Sequence, residues 1–167
     1  QFDRSRAELV KNFAESSKQA EINYARARAD IVRDSGQDIQ RIEEQHQESI
    51  RKPTLEHNDR VEELTASRDA LGLVKEQRRF DRERSEAERE TNQQIAQRRQ
   101  DTAVRLAELA AEFAAERAQR QVQFQEQLAE NEARRQEQLK EAAAAHQEEL
   151  QRIRINRAQQ LAELQAG

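Results

Sequence analysis

The sequence predicts an all-α chain. The expected architecture is one very long, near-continuous helix with an 11-residue repeat in steps of 3, 4 and 4, forming a parallel coiled-coil bundle of identical copies. Three observations predict it. First, every ring-bearing side chain occupies one position of the repeat. Phe2, Phe13, Tyr24, Ser35, His46, His57 and Arg68 follow at intervals of 11, and Phe80, Thr91, Thr102, Phe113, Phe124, Arg135, His146 and Arg157 form a second series; all 5 Phe, the 1 Tyr and the 3 His fall within them. Eleven residues complete three turns at about 3.67 residues per turn, so the rings project along one edge of a helix. Second, the larger aliphatic residues keep the same frame at two further positions. Third, 37 % of residues are charged and 35 % apolar, with only 3 Gly and 1 Pro. The dominant residues, Ala, Glu, Arg, Gln and Leu, are good helix formers.

Three positions in eleven make a narrow stripe, the signature of a helix seam rather than of a broad face on a globular core. Over 1–52, a helical segment, the stripe is Phe2, Leu9, Phe13, Tyr24, Ile31, Ile39, Ile42 and Ile50. Over 53–72 it continues through Val61 and Leu64, but Pro53 removes a backbone donor and predicts a kink. The spacing from Ile50 to Val61 preserves the frame across that proline, so the helix is expected to continue. Near Leu71-Gly72-Leu73 the two ring series fall out of phase by one residue, which predicts a register slip and makes Gly72, with Pro53, the expected hinge. Over 73–167 the stripe resumes as Leu73, Phe80, Ile95, Leu106, Leu109, Phe113, Phe124, Leu128, Leu139, Leu150, Ile153, Leu161 and Leu164. No cluster of turn residues marks a hairpin, and no globular domain is expected. Fully helical, the chain would span about 250 Å at 1.5 Å per residue.

A lone helix with such a stripe is marginal in water, so the expected partner is the chain itself, with a trimer as the working number. Arg117, Arg120, Asn131 and Arg135 interrupt the stripe where other repeats carry Leu or Phe. Buried charge is costly unless paired, so either these positions face solvent at the seam edge, with arginine stems along the apolar surface, or the bundle is loose there; the rod is expected to be marginal alone and held by an enclosing structure. Acid–base pairs four residues apart, such as Glu56 and Arg60, Asp101 and Arg105, Glu116 and Arg120, Glu130 and Arg134, and Glu148 and Arg152, support the helix without selecting a partner.

Several function classes are disfavoured. The formal charge of -4, from 29 Lys and Arg against 33 Asp and Glu, offers no basic stripe for nucleic acid. Arg78-Arg79, Arg98-Arg99 and Arg134-Arg135 are each surrounded by acids. With 0 Cys there is no disulfide frame and no thiolate metal site. No apolar run is long enough to span a membrane, and no leader is recognisable. The start at Gln1 reads as an excerpt of a longer chain. Glu43 and His46 have the Glu-x-x-His spacing of di-iron bundles. A single copy lacks the remaining carboxylates, and His46 reads more simply as a member of the ring series. No phosphate loop, nucleophile elbow or zinc motif occurs. No catalytic residue, cofactor or metal is expected.

The aromatics recurring every 11 residues, as in Phe2-Phe13-Tyr24 and Phe113-Phe124, lie in loop-free stretches such as RRFDRERSEAERE and EFAAERAQRQVQFQEQLAENEARRQEQL. In this pattern the chain resembles the central rod of bacteriophage tail tape measure proteins over essentially its whole length. The resemblance implies several copies of a helical rod inside the lumen of the tail tube of the virion, assembled in the host cytoplasm. The tube protein would surround the rod, whose length would set the tube's length before it leaves ahead of the DNA. It implies no nucleic-acid contact while the rod is in place and no membrane contact from this segment. The alternatives are a cellular coiled-coil scaffold or spacer and, more remotely, a lipid-surface amphipathic helix, which would need a broader apolar face.

Overall fold

The computed structural model describes residues 2–167. It contains two helices, α1 (Phe2–Ala66) and α2 (Ala70–Ala166). The all-α expectation agrees with this. The single near-continuous helix and its parallel bundle do not: the chain reverses direction after Ala66, and α2 packs antiparallel against α1. The physical reason is that the sequence carries two apolar stripes on one chain. A short turn brings the second stripe to the first without the translational loss of collecting separate copies, and closing so small a loop costs little.

The turn is built from Ser67, Arg68 and Asp69. The Asp69 N–H donates to the Leu64 carbonyl at 3.0 Å, and the Arg68 N–H donates to the Thr65 carbonyl at 3.1 Å. These are the two bonds of a Schellman helix end, which needs a left-handed residue at its first non-helical position. Arg68 supplies it, with φ 56°. Asp69 then caps the next helix, its Oδ1 accepting the Gly72 N–H at 2.8 Å. A Cβ there would stand 2.5 Å from Asp69 Oδ2 and 2.8 Å from Leu64 Cδ2, so a larger residue would have to displace the capping carboxylate and the Leu64 side chain.

The structure places both residues expected at the hinge. Gly72 lies in the first turn of α2, and the one-residue slip between the ring series is the trace of the chain reversal just before it. Pro53 lies inside α1, which runs on to Ala66. Beyond the proline, Thr54 Oγ1 donates to the Ile50 carbonyl at 2.6 Å.

The chain divides into two packing units. The first comprises Glu21–Ala114 and holds the turn with the adjoining lengths of both helices. The second comprises Gln1–Ala20 with Ala115–Gly167. In it the N-terminal part of α1 lies against α2 as far as about Arg135, and every residue from 136 onward is exposed. Neither unit has a conventional core. Among the described residues no hydrophobic side chain is fully buried, and the three buried residues are polar: Ser35, His57 and Glu76.

Candidate interaction seam

Within the Glu21–Ala114 unit, the ring positions of the two helices meet as successive rungs. Tyr24 stacks on Phe113 with ring centroids 4.4 Å apart and planes 16° from parallel. Ser35 Oγ meets Thr102 Oγ1 at 2.7 Å. His46 Nδ1 and Thr91 Oγ1 share a hydrogen bond of 2.9 Å. His57 stacks on Phe80 at 4.0 Å and 6°. Each step of 11 forward on α1 is matched by a step of 11 backward on α2, so the third position of one stripe always meets the third position of the other. In this register the first position of one helix faces the second position of its neighbour: Ile31 falls opposite Leu106, and Ile42 opposite Ile95. The other unit repeats the scheme. Phe13 stacks on Phe124 at 4.2 Å and 11°, Leu9 falls opposite Leu128, and Asn131 Nδ2 donates to Ser5 Oγ at 2.9 Å.

The residues at which the ring series lapses are thus partners. Ser35 faces Thr102 and His46 faces Thr91, so each hydroxyl finds hydrogen-bonding capacity across the seam. A slip of one repeat would set Ser35 against Phe113 and Thr102 against His46. Stranding a buried hydroxyl on an aromatic face costs about 1–3 kcal/mol, so these polar rungs select the register as polar residues do in coiled-coil seams.

Beside the turn lies the most polar cluster. Glu76 occupies a second position of the α2 stripe and is buried against α1. Its Oε1 accepts from Arg79 Nη2 at 2.6 Å, its Oε2 accepts from Arg79 Nε at 3.0 Å, and Arg60 Nη1 stands 3.8 Å away. His57 Nδ1 lies 3.2 Å from Glu76 Oε1. An ionised carboxylate only accepts, so His57 carries its hydrogen on Nδ1 and donates. The Arg79 hydrogen bond, opposed by burial and joined by the His57 bond and the charge of Arg60, holds the Glu76 carboxyl down at about 2. Arg79 also reaches Glu83 at 2.9 Å. Every charge here is bound by a neighbour. The cluster anchors the turn end of the helix pair, and it presents no free base or nucleophile to a cleft. Farther along, Asp38 pairs with Arg98 across the seam.

The stripe residues read from the sequence divide by surroundings. From Phe2, Leu9, Phe13, Tyr24, Ile31, Ile39, Ile42, Ile50, Val61 and Leu64 on α1 to Leu73, Phe80, Ile95, Leu106, Leu109, Phe113, Phe124 and Leu128 on α2, all are half-buried. Leu139, Leu150, Ile153, Leu161 and Leu164 are exposed, Leu164 at 79 %. Of the interrupting residues, Arg117 is exposed, whereas Arg120, Asn131 and Arg135 are half-buried. Arg120 keeps its stem in the seam and turns its guanidinium to Glu116 at 3.9 Å. The polar partnerships of Ser35, Thr91 and Thr102, and the capping role of Asp69, escaped the sequence reading. The first was signalled by the gaps in the ring series, which only an antiparallel alignment places opposite one another.

His46 is engaged by Thr91, and among the described residues no group of three His, Asp or Glu side chains is placed to hold a metal ion. Leu9, Phe13, Arg120 and Phe124 line an open groove of about 380 Å³ between the two helices. No described helix is long and apolar enough to cross a membrane. Comparison with protein-family models, with curated proteins and with solved structures returns no match for this chain.

Proposed function

We propose that this chain is a structural spacer, and specifically a length-setting segment of the tape measure kind in a bacteriophage tail. The observation that carries the reading is the rung spacing. Matched side chains recur every 11 residues along both helices, so residue number converts linearly to distance, at about 16.5 Å per repeat from the rise of 1.5 Å per residue. The bound state of the buried charges and the open character of the grooves favour a mechanical role over catalysis. The mechanism is geometric. Each repeat contributes a fixed length along the helix axis. A seam without a buried hydrophobic core is also readily separated, which suits a part that has to leave a narrow tube.

The test is deletion of matched units, removing 36–46 together with 91–101, in the phage that encodes the chain. Electron microscopy of the assembled tails is expected to show shortening by about 16.5 Å for each matched pair. Unchanged tail length would refute the ruler.

A second reading, a scaffold spacer in a cell, is favoured by one specific observation. An antiparallel pair returns its chain to the side from which it came, which suits a projecting arm. The same deletions would then shorten the spacing between its attached partners, and no tail would be involved.

A further inference from the structure

The stripes of α1 and α2 differ in phase by one residue. Within the Glu21–Ala114 unit, the rungs on α1 follow at steps of 11 from Tyr24 through Ser35 and His46 to His57, and those on α2 from Phe80 through Thr91 and Thr102 to Phe113. Between the two series, Phe80 follows His57 by 23 residues, one more than two repeats. One residue turns a helix by about 100°. Carried through 67–69 as unbroken helix, the chain would therefore point its two stripes about 100° apart. In the closed pair the offset is harmless, because the turn reverses the axis and lets each helix face the other.

The residues of the junction do not themselves exclude a continuous helix. Residues 64–71 contain neither glycine nor proline. Arg68 is held at φ 56°, a conformation that a side chain resists and that a helix would relieve. Two chains opened in this way can lie antiparallel and exchange helices, with α1 of each copy against α2 of the other. Such an exchange keeps the contacts of the closed pair and is a direct route to a dimer wherever a hinge can straighten. The offset obstructs it. When Tyr24 to His57 face the second copy, Phe80 to Phe113 of the same chain point about 100° away, and the second seam is not made.

We infer that this one-residue offset holds the chain as a closed pair, and that taking one residue out of the turn converts it into an exchanged dimer of two continuous helices. With Arg68 deleted, Phe80 follows His57 by two whole repeats, and one stripe runs unbroken through both helices. The rule of the seam then holds between copies, third positions meeting third positions and first positions meeting second positions. Tyr24 meets Phe113 of the second copy, Ser35 meets Thr102, His46 meets Thr91 and His57 meets Phe80. The contacts of His57 with Glu76 and of Asp38 with Arg98 re-form in the same way. The interface is isologous and closes on itself. The deletion also removes the left-handed residue on which the closed turn depends. The variant S67A/R68A/D69A separates the two effects. It removes the cap and raises helix propensity, but it keeps the length and therefore the offset.

The experiment places a disulfide across the rung of Ser35 and Thr102, whose hydroxyl oxygens are 2.7 Å apart. The chain has 0 Cys, so the introduced thiols report without background. S35C/T102C chains are refolded at micromolar concentration, oxidised and separated by denaturing electrophoresis without reductant. The linked mass reads which chain supplies the seam partner and ignores association through any other surface. In the otherwise unaltered chain the link is expected within one chain, at 19.5 kDa. With Arg68 also deleted, the linked product is expected at twice that mass, with undiminished helix by circular dichroism. S67A/R68A/D69A in the same background is expected to stay at the single-chain mass. Linked dimers of the unaltered chain, single-chain linkage or loss of helix in the deletion, or linked dimers of the triple substitution would each overturn the proposal. None of these outcomes bears on tail length, and an unchanged tail length leaves the role of the offset standing.

Discussion

Asp69 serves both helices. Its backbone N–H closes the last turn of α1 on Leu64, and its carboxylate opens α2 by accepting from Gly72. Replacing it by Ala removes the cap but leaves the backbone bond. The expected loss is about 1 kcal/mol of stability in urea unfolding; an unchanged midpoint would show that the cap is not a determinant of the turn. Arg68 pays for a left-handed conformation with φ 56°. Arg68→Gly is expected to stabilise the chain by about 0.5–1 kcal/mol, and a destabilised variant would count against this account of the turn. Glu76 makes stability depend on pH. Its carboxyl titrates at about 2 in the folded chain against an ordinary 4.5. A group depressed in this way stabilises the fold fully above its unfolded value, and that contribution is lost as pH falls through the folded value. Melting curves are therefore expected to show a progressive fall in thermal midpoint between pH 4.5 and about 2 that is absent from Glu76→Gln. The same fall in both proteins would remove Glu76 from the explanation.

At the scale of the helices, the rungs are the unit of recognition. Stacked pairs such as Phe13 with Phe124 add about 0.5–1.5 kcal/mol beyond the area they cover. They tolerate one another in more than one register. Ser35 with Thr102 does not, since a slip of one repeat would set the Ser35 hydroxyl against Phe113, whereas His46 would exchange one threonine partner for another. A double-mutant cycle on Ser35→Ala and Thr102→Val is expected to give a coupling energy of about 0.5–1.5 kcal/mol, the range for a partly buried hydrogen bond, and additivity would sink the idea that this rung reads the register. The helix pair also predicts how deletions behave. Removing 36–46 alone displaces every rung on its far side by one repeat, whereas removing 91–101 with it restores them. Circular dichroism is expected to show a single cooperative melt for the matched deletion and a broadened, lower transition for the one-sided deletion.

For the whole molecule, the absence of any fully buried hydrophobic side chain among the described residues means that stability is shared among many half-buried rungs. Local opening then needs only a few rungs to separate, and protection from hydrogen exchange is expected to be greatest near the Glu76 cluster and to fall away along α2 beyond Arg135.

The sequence by itself determined the helical state, the 11-residue frame and the residues that share the stripe, because these follow from local propensity and from the angle advanced per residue. The lapses at Ser35, Thr91 and Thr102, and the slip near Gly72, were legible as irregularities. Only the tertiary structure decided what they meant. One stripe can be covered by parallel copies, antiparallel copies or its own chain, and periodicity is identical in all three. The choice rested on a turn without glycine at its left-handed position, made by Ser67, Arg68 and Asp69 through backbone bonds that composition does not announce. With the chain reversed there, the lapses in one series fall opposite those in the other, and the out-of-phase series become two sides of one seam.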